Sequence, residues 1–299
     1  MATNTPLARP SPARAWIMAA RPPTLPAAVV PVLVGTAAVA SIAFRPLPFL
    51  AAIVAAVLIQ VGTNFANDYF DFHKGADTAE RLGPVRVTQS GLIPPDTVRT
   101  AMMAVFGLAG LVGLYLVFAG GWPILVIGVL SIAAGVLYTG GPYPLAYHGL
   151  GDPFVFVFFG LVAVCGTAFL HTGAVPPVAW YAALPVAMIV TAIIVVNNLR
   201  DIDTDRLARK HTLAVLVGRR ATQVEYAILL ALAYLLLPLG PLLGLTSGWV
   251  LLPLLTLPLA VSLARAVFGE QGRPLNRALA GTGRLHLLFG VLLAVGLLV

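Results

Sequence analysis

Long, uninterrupted apolar runs are the feature that most restricts how this chain can fold. Only 10% of its 299 residues are charged and 59% are hydrophobic, whereas soluble domains carry about 25% charged residues. About 20 apolar residues cross the hydrocarbon core of a bilayer as a helix, and only helices or closed barrels satisfy their backbone groups there. Because the runs are continuous rather than alternating, we expect an all-α integral membrane protein embedded in the lipid bilayer.

Breaks between the apolar runs predict nine transmembrane helices around a central cavity. They are expected near residues 24–43, 48–67, 100–119, 123–139, 153–171, 178–199, 223–243, 248–268 and 282–299. We assign the polar residues 1–20 to a loosely ordered cytoplasmic arm and residues 21–299 to one transmembrane domain. The single cysteine, Cys165, lies in an apolar run, which argues against a disulfide or a zinc cluster.

The charged residues lie on one side of the predicted bundle. All 18 lysines and arginines except Arg45 fall in the N-terminal arm or in loops on its side of the membrane, and so do all 11 acids. The positive-inside rule then places the N-terminus and this charged face in the cytoplasm, and the C-terminus outside. A pI near 10 is also typical of nucleic-acid-binding proteins, but basic loops at an anionic membrane explain it, so no nucleic-acid partner is expected.

Two matched clusters of asparagine and aspartate follow the second and sixth predicted helices. Their members are Asn64, Asp68 and Asp71 in the first cluster, and Asn197, Asp201 and Asp205 in the second. Residues three or four apart share a helix face, so each cluster forms one stripe if its helix continues past the apolar stretch. Four spans separate the clusters, which brings both to the same face. We therefore predict two pseudo-repeated four-helix halves plus a ninth helix, with Asp203 pointing away into solvent.

The chemistry of the two clusters indicates a site for a diphosphate with Mg²⁺. Neighbouring carboxylates repel unless cations lie between them, and Mg²⁺ is typically held by one or two carboxylates plus phosphate oxygens. The predicted metal ligands, which also act in catalysis, are Asp68, Asp71, Asp201 and Asp205. The predicted diphosphate-binding residues are Asn64, Asn67, Lys74, Arg86, Asn197, Asn198, Arg200 and Lys210. Hydrogen bonding at helix ends explains Asn67 and Asn198 equally well, and solvated loop acids would explain one cluster but not two.

These segments resemble the two aspartate motifs of the UbiA superfamily of intramembrane aromatic prenyltransferases. The matching residues are Asn64-x-x-Asn67-Asp68-Tyr69-x-Asp71-x-x-Lys74-Gly75-x-Asp77 and Asn197-Asn198-x-Arg200-Asp201-x-x-x-Asp205. The resemblance runs from about residue 15 to the end, and Thr212-Leu213-Ala214-Val215 points to the branch that prenylates dihydroxynaphthoate. It implies that a polyprenyl group moves from polyprenyl diphosphate to 1,4-dihydroxy-2-naphthoate. Carbon dioxide and pyrophosphate are lost and demethylmenaquinone forms, in the inner membrane of a bacterial cell.

The resemblance also implies a site for the aromatic acceptor, for which the sequence offers fewer matching residues than for the diphosphate site. Its candidate residues are Arg21, Tyr138, Tyr143 and His148, with Asp77 as a base for the ring hydroxyl. Arg21 is a candidate partner of the aromatic carboxylate, but the positive-inside rule also explains an arginine there, and an aromatic belt also explains the tyrosines. Solvation in a loop is the alternative for Asp77. Asp152 stands where the family has a glutamate, which leaves its role near the ring open.

Other functions compete with this interpretation. A secondary transporter would also have many spans and repeats, but it should carry ionisable groups near the midplane, where this sequence has no charged residue. A structural subunit would leave the two matched clusters unexplained. Within the superfamily, hydroxybenzoate and haem are the rival acceptors. The sequence leaves the prenyl chain length and homo-oligomer formation open.

Overall fold

The computed structural model describes residues 10–75 and 82–299. Within these ranges the protein is helical, and its β pairing is limited to an isolated parallel bridge between His148 and His211. The main helices are α1 (Pro12–Ala20), α2 (Pro26–Ala37), α3 (Pro46–His73), α4 (Pro95–Gly120), α5 (Trp122–Leu137), α6 (Gly151–Thr172), α7 (Pro177–Leu207), α8 (Arg219–Leu235), α9 (Gly248–Gly269) and α10 (Leu275–Leu298). The prediction of an all-α membrane protein is confirmed.

Six helices are long and apolar enough to cross a membrane, namely α3, α4, α6, α7, α9 and α10. A seventh span results if Pro12–Thr24 and Pro26–Ala37, which are bent by 46° at their junction, count as one. Helices α5 and α8 are shorter, with 16 and 17 residues. Every predicted position therefore holds a helix in the described part of the chain, whereas nine spans in two pseudo-repeated halves stay a prediction.

The N-terminal arm is more ordered than the sequence suggests, and the expectation of a loose segment is wrong for residues 12–20. These residues form α1, with the side chain of Ser11 as its N-cap and Pro12 at its first position. Ala15 and Ala19 are four residues apart and are buried in a cluster with α3 residues. Small residues on one face of α1 allow this close packing. The polar composition of residues 1–20 does not indicate it.

Helix α7 forms the centre of the molecule. In its most apolar stretch 67% of the residues are buried inside the protein, against 22% in α4. The largest apolar core surrounds α7 where it meets α2, α6, α8 and α10. Both α3 and α7 continue past their apolar stretches, to His73 and Leu207. Each predicted stripe of asparagine and aspartate therefore does lie on one continuous helix.

A π-helical segment allows α6 to approach α7 closely. Phe156–Val162 adopts this rare conformation, which is frequent at functional sites. Gly160 lies so close to Ala187 of α7 that any side chain at position 160 would overlap it. This contact fixes the start of α6, with Asp152, beside the charged end of α7.

Candidate diphosphate and metal site

The first aspartate motif lies at the end of α3 and is covered by the loop that follows. Asp68 is 1% exposed, and its carboxylate accepts hydrogen bonds from the backbone amides of Val87 and Thr88 at 3.3 and 3.1 Å. Asp71 is also buried and lies 3.2 Å from Nη2 of Arg86. The loop therefore places Arg86 at the motif, as the prediction of a diphosphate site requires.

The second motif, at the end of α7, is organised by a buried arginine. Nε and Nη2 of Arg200 donate to the two carboxylate oxygens of Asp201, and Nη2 also donates to Oδ1 of Asn197 at 2.9 Å. Because guanidinium is planar, this bidentate contact fixes the direction of the carboxylate. Asp205 faces Nζ of Lys210 at 4.0 Å. Asp203 is exposed, as predicted.

Tyr147 connects the two motifs, although in the sequence it looks like an ordinary loop tyrosine. Its hydroxyl donates to Oδ1 of Asp71 at 2.9 Å. Its ring lies near two cations, with Nζ of Lys74 at 5.0 Å and Nζ of Lys210 at 5.4 Å from the centroid. The backbone amide of His211 donates to the carbonyl of Tyr147 at 3.2 Å. The loop after α5 and the loop after α7 thus meet over the site.

Lys74 lies just after the first motif, where its Nζ donates to the carbonyl of Thr139 at 2.7 Å. Partial burial lowers the pKa of Lys74, and Asp71 acts in the opposite direction.

Asn64 and Arg21 lie where α1 and α2 join the first motif. Nδ2 of Asn64 donates to the carbonyl of Ala20 at 2.9 Å and to the hydroxyl of Thr24 at 3.0 Å. Nη2 of Arg21 reaches the carbonyl of Asn64 at 3.5 Å, and Arg21 itself has left-handed backbone angles, with φ 52°. In this structure the Asn64 amide holds the N-terminal segment against α3.

The other two asparagines make contacts between elements. The hydroxyl of Thr139 donates to Oδ1 of Asn67 at 2.9 Å, and Nδ2 of Asn198 donates to Oδ1 of Asp152 at 3.1 Å. Both asparagines lie inside helices that continue to His73 and Leu207, so these bonds join different elements and do not cap a helix end. They also bring Asp152 next to the second motif.

The predicted acceptor residues are only partly brought together. Tyr143 and His148 stack on each other with centroids 3.6 Å apart, and the exposed ring of Tyr143 faces away from the core. Tyr138 instead contributes to a cavity of about 120 Å³ in the membrane interior. Asp77 lies outside the described residues.

This cavity extends from the first motif into the apolar interior. On α3 it is lined from Thr63, the residue before Asn64, back to Ala56, which is about 10 Å along a helix. The remaining walls are mostly apolar and come from α2, α5 and α6, including Phe154, Phe158 and Phe159. An elongated hydrocarbon could occupy such a space with its polar end at the aspartates.

The donor set fits Mg²⁺ by its chemistry. Both motifs present carboxylate oxygens, which Mg²⁺ prefers, and this ion is usually bound by one or two carboxylates together with substrate phosphates. Among the residues that the structure describes, no three acidic, histidine or cysteine side chains are grouped closely enough to hold an ion by themselves. The carboxylates are instead paired with protein donors, so a diphosphate would complete the coordination.

Comparison with known proteins shows the family to which the chain belongs. Residues 28–288 match the model of the UbiA prenyltransferase family. The chain is 40% identical to the 1,4-dihydroxy-2-naphthoate octaprenyltransferase of Mycobacterium tuberculosis, covering 93% of this chain and 95% of that protein. It is 39% identical to the enzyme of the same name from Escherichia coli, covering 92% and 94%.

Solved structures share the fold. A UbiA homologue from Aeropyrum pernix K1 matches with a TM-score of 0.70 and 16% identity, covering 91% of this chain and 96% of that one. A UbiA homologue from Archaeoglobus fulgidus bound to DMAPP and Mg²⁺ matches with a TM-score of 0.67 and 16% identity, covering 95% and 98%. The protein is therefore a multi-pass membrane protein that belongs to the UbiA prenyltransferase family.

Proposed function

We propose that this protein transfers a polyprenyl group from polyprenyl diphosphate to 1,4-dihydroxy-2-naphthoate, with release of pyrophosphate and carbon dioxide, and so makes demethylmenaquinone. The observation that carries the proposal is the mostly apolar cavity along α3, whose lining ends at Thr63, the residue before Asn64 of the first motif. The identity of the acceptor is inferred from relatives that are named 1,4-dihydroxy-2-naphthoate octaprenyltransferase. Three of these relatives are 34–40% identical to this chain.

The diphosphate is proposed to lie between α3 and α7. Asp68, Asp71, Asp201 and Asp205 would hold Mg²⁺, as the Mg²⁺-bound structural relative suggests. Bound there, the ion would neutralise charge that develops on the departing pyrophosphate. Arg86, Lys74 and Lys210, which contact the carboxylates or Tyr147, would then bind the remaining phosphate oxygens.

Two loops over the site would shield the reacting carbon from water. The loop over Asp68 and the loop that carries Tyr147 each bind a carboxylate of the first motif and would close the polar end of the space. The cavity walls would hold the prenyl tail, and a dry site protects an allylic cation until the aromatic ring attacks. The hydroxyl of Tyr138, which lines the cavity, would donate to an oxygen of the acceptor. Arg21 and Asp77, which lies outside the described residues, stay candidates for the carboxylate partner and the base.

A direct assay tests this function. Purified protein is incubated with dihydroxynaphthoate, a polyprenyl diphosphate and Mg²⁺, with a chelator in a parallel tube and hydroxybenzoate as an alternative acceptor. We expect a prenylated naphthoquinone only when Mg²⁺ is present. Asp201→Asn should lower the rate by about 100-fold or more, as expected for loss of a charged group that stabilises a transition state.

Asp203→Asn is the matched control, because Asp203 lies two residues from Asp201 on the same helix but is exposed. Its rate should equal that of the unmodified protein. Absence of product with Mg²⁺, or full activity of Asp201→Asn, would show that the proposal is wrong.

A further inference from the structure

Asn276, in the first turn of α10, contacts both halves of the candidate site. Its side-chain oxygen accepts a hydrogen bond from Nη1 of Arg200 at 2.9 Å. Its side-chain nitrogen donates to the carbonyl of Leu82 at 2.9 Å. Arg200 belongs to the second motif, whereas Leu82 precedes the loop that covers the first. One amide therefore ties the last helix to both motifs, at a position far from either in sequence.

Arg200 depends on this contact for its orientation. Its side chain has no exposed surface, and its nitrogens donate to Asp201, Asn197 and Asn276. The guanidinium is a rigid planar fork, so the group that holds Nη1 also determines where Nε and Nη2 point. The direction of the Asp201 carboxylate thus follows from the position of Asn276.

The loop over the first motif is held at both of its described ends. At one end, a side-chain carbon at Gly83 would lie 2.8 Å from Nη2 of Arg200, so the loop backbone passes directly against the guanidinium. At the other end, the amides of Val87 and Thr88 bind Asp68. Asn276 fixes the first end by binding the neighbouring carbonyl of Leu82.

We propose that Asn276 is a positioning residue that sets the relative placement of the two aspartate motifs. Its amide suits this role because it accepts from a cation and donates to a carbonyl at once, which neither aspartate nor leucine can do. The two side-chain hydrogen bonds of Asn276 go to Arg200 and Leu82 and not to a motif carboxylate. The identity of the ligand rests on the proposed function, but the bridge between the loop and Arg200 does not.

The bridge is tested first without substrate, by hydrogen exchange of the backbone amides in residues 82–88. Asn276→Leu removes both hydrogen bonds, and Asn276→Asp retains an acceptor for Arg200 but cannot donate to Leu82. We expect exchange in this segment to become about tenfold faster in both variants, because a hydrogen bond involving a charged group or a buried amide is worth roughly one tenfold step or more. Arg277→Ala, at the exposed next position, is the control and should exchange normally.

The consequence for ligand binding is tested by kinetics. In Asn276→Leu and Asn276→Asp, the Mg²⁺ concentration for half-maximal rate and the KM for polyprenyl diphosphate should rise about tenfold, while the KM for the aromatic acceptor stays unchanged. Normal exchange and normal Mg²⁺ and diphosphate dependence in both variants would overturn the inference and leave the proposed function intact. Faster exchange in residues 82–88, with no prenyl transfer by the unmodified protein, would support the bridge and overturn the proposed function.

Discussion

At the scale of single residues, each motif carboxylate is already matched to a protein donor. Asp68 is bound by two backbone amides and Asp71 by Arg86, while Asp201 is bound by Arg200. Four unpaired carboxylates in a partly buried site would destabilise the fold strongly. The same basic groups that stabilise the protein alone are thus close enough to change partners when a diphosphate and its cation bind.

Tyr147 offers a sharp test at this scale. Tyr147→Phe removes the hydroxyl that donates to Asp71 but keeps the ring beside Lys74 and Lys210. We expect kcat/KM for prenyl transfer to fall about tenfold, since a hydrogen bond to a charged group is worth roughly 1.5–3 kcal/mol. Steady-state kinetics measure the change, with Tyr115→Phe as the control because that exposed ring lies on α4, away from the site. Equal effects of the two substitutions would rule out a specific role for the Tyr147 hydroxyl.

Arg45 shows why one basic residue departs from the charge pattern. Its Nη1 donates to the carbonyls of Ala119 and Leu170, both at 3.0 Å, near the C-terminal ends of α4 and α6. Such carbonyls lack partners within their helices and carry the negative end of the helix dipole. Its backbone amide also donates to Nδ1 of His171 at 3.2 Å. Arg45 is therefore structural.

We accordingly expect Arg45→Gln to lower stability without changing the chemistry. The loss should be about 1–3 kcal/mol, the cost of leaving buried acceptors unsatisfied, and should appear as a lower thermal unfolding midpoint in detergent. Prenyl transfer at low temperature should persist. Arg265→Gln, at an exposed position, is the control. A midpoint for Arg45→Gln as high as that of the control would contradict this role.

At the scale of helices, the sequence predicts the apolar segments and the two stripes well, because spans and helical spacing are local properties. It fails for α1, whose packing rests on Ala15 and Ala19 rather than on an apolar run. It also fails for Tyr147 and Asn276, since their roles come from contacts with segments distant in sequence. Hydropathy cannot show that Phe156–Val162 is π-helical, because that conformation depends on the contact with α7.

The α6–α7 contact predicts that a glycine-to-alanine substitution in a helix will lower the stability of the protein. Glycine to alanine normally stabilises a helix, but in Gly160→Ala the new carbon would overlap Ala187, and such overpacking costs about 1–3 kcal/mol. We expect a lower unfolding midpoint and weaker activity, because the Asp152–Asn198 contact shifts with α6. Gly128→Ala is the matched control, since a side-chain carbon there meets nothing within 4 Å. Destabilisation of both variants alike would point to a general effect and not to this contact.

At the scale of the whole molecule, the ends of α3 and α7 and the start of α10 meet on one side, and the loops that join them carry the site. The described acids and the basic residues other than Arg45 belong to this side in the predicted topology. A polyprenyl diphosphate has a water-soluble diphosphate end and a lipid-soluble prenyl end, so a site at the end of an apolar cavity can receive both parts. The same asymmetry predicts the orientation in the membrane.

Orientation can be measured with single cysteines, because Cys165 is the only native one and can be replaced by alanine. Asp203→Cys marks the face with the aspartate motifs, and Ser247→Cys marks the opposite loop before α9; both positions are exposed. The positive-inside rule places the basic face in the cytoplasm. In intact cells a membrane-impermeant maleimide should therefore label Ser247→Cys and spare Asp203→Cys, whereas lysed cells should label both. The reverse pattern in intact cells would place the reactive face outside, and equal labelling would contradict a single fixed orientation.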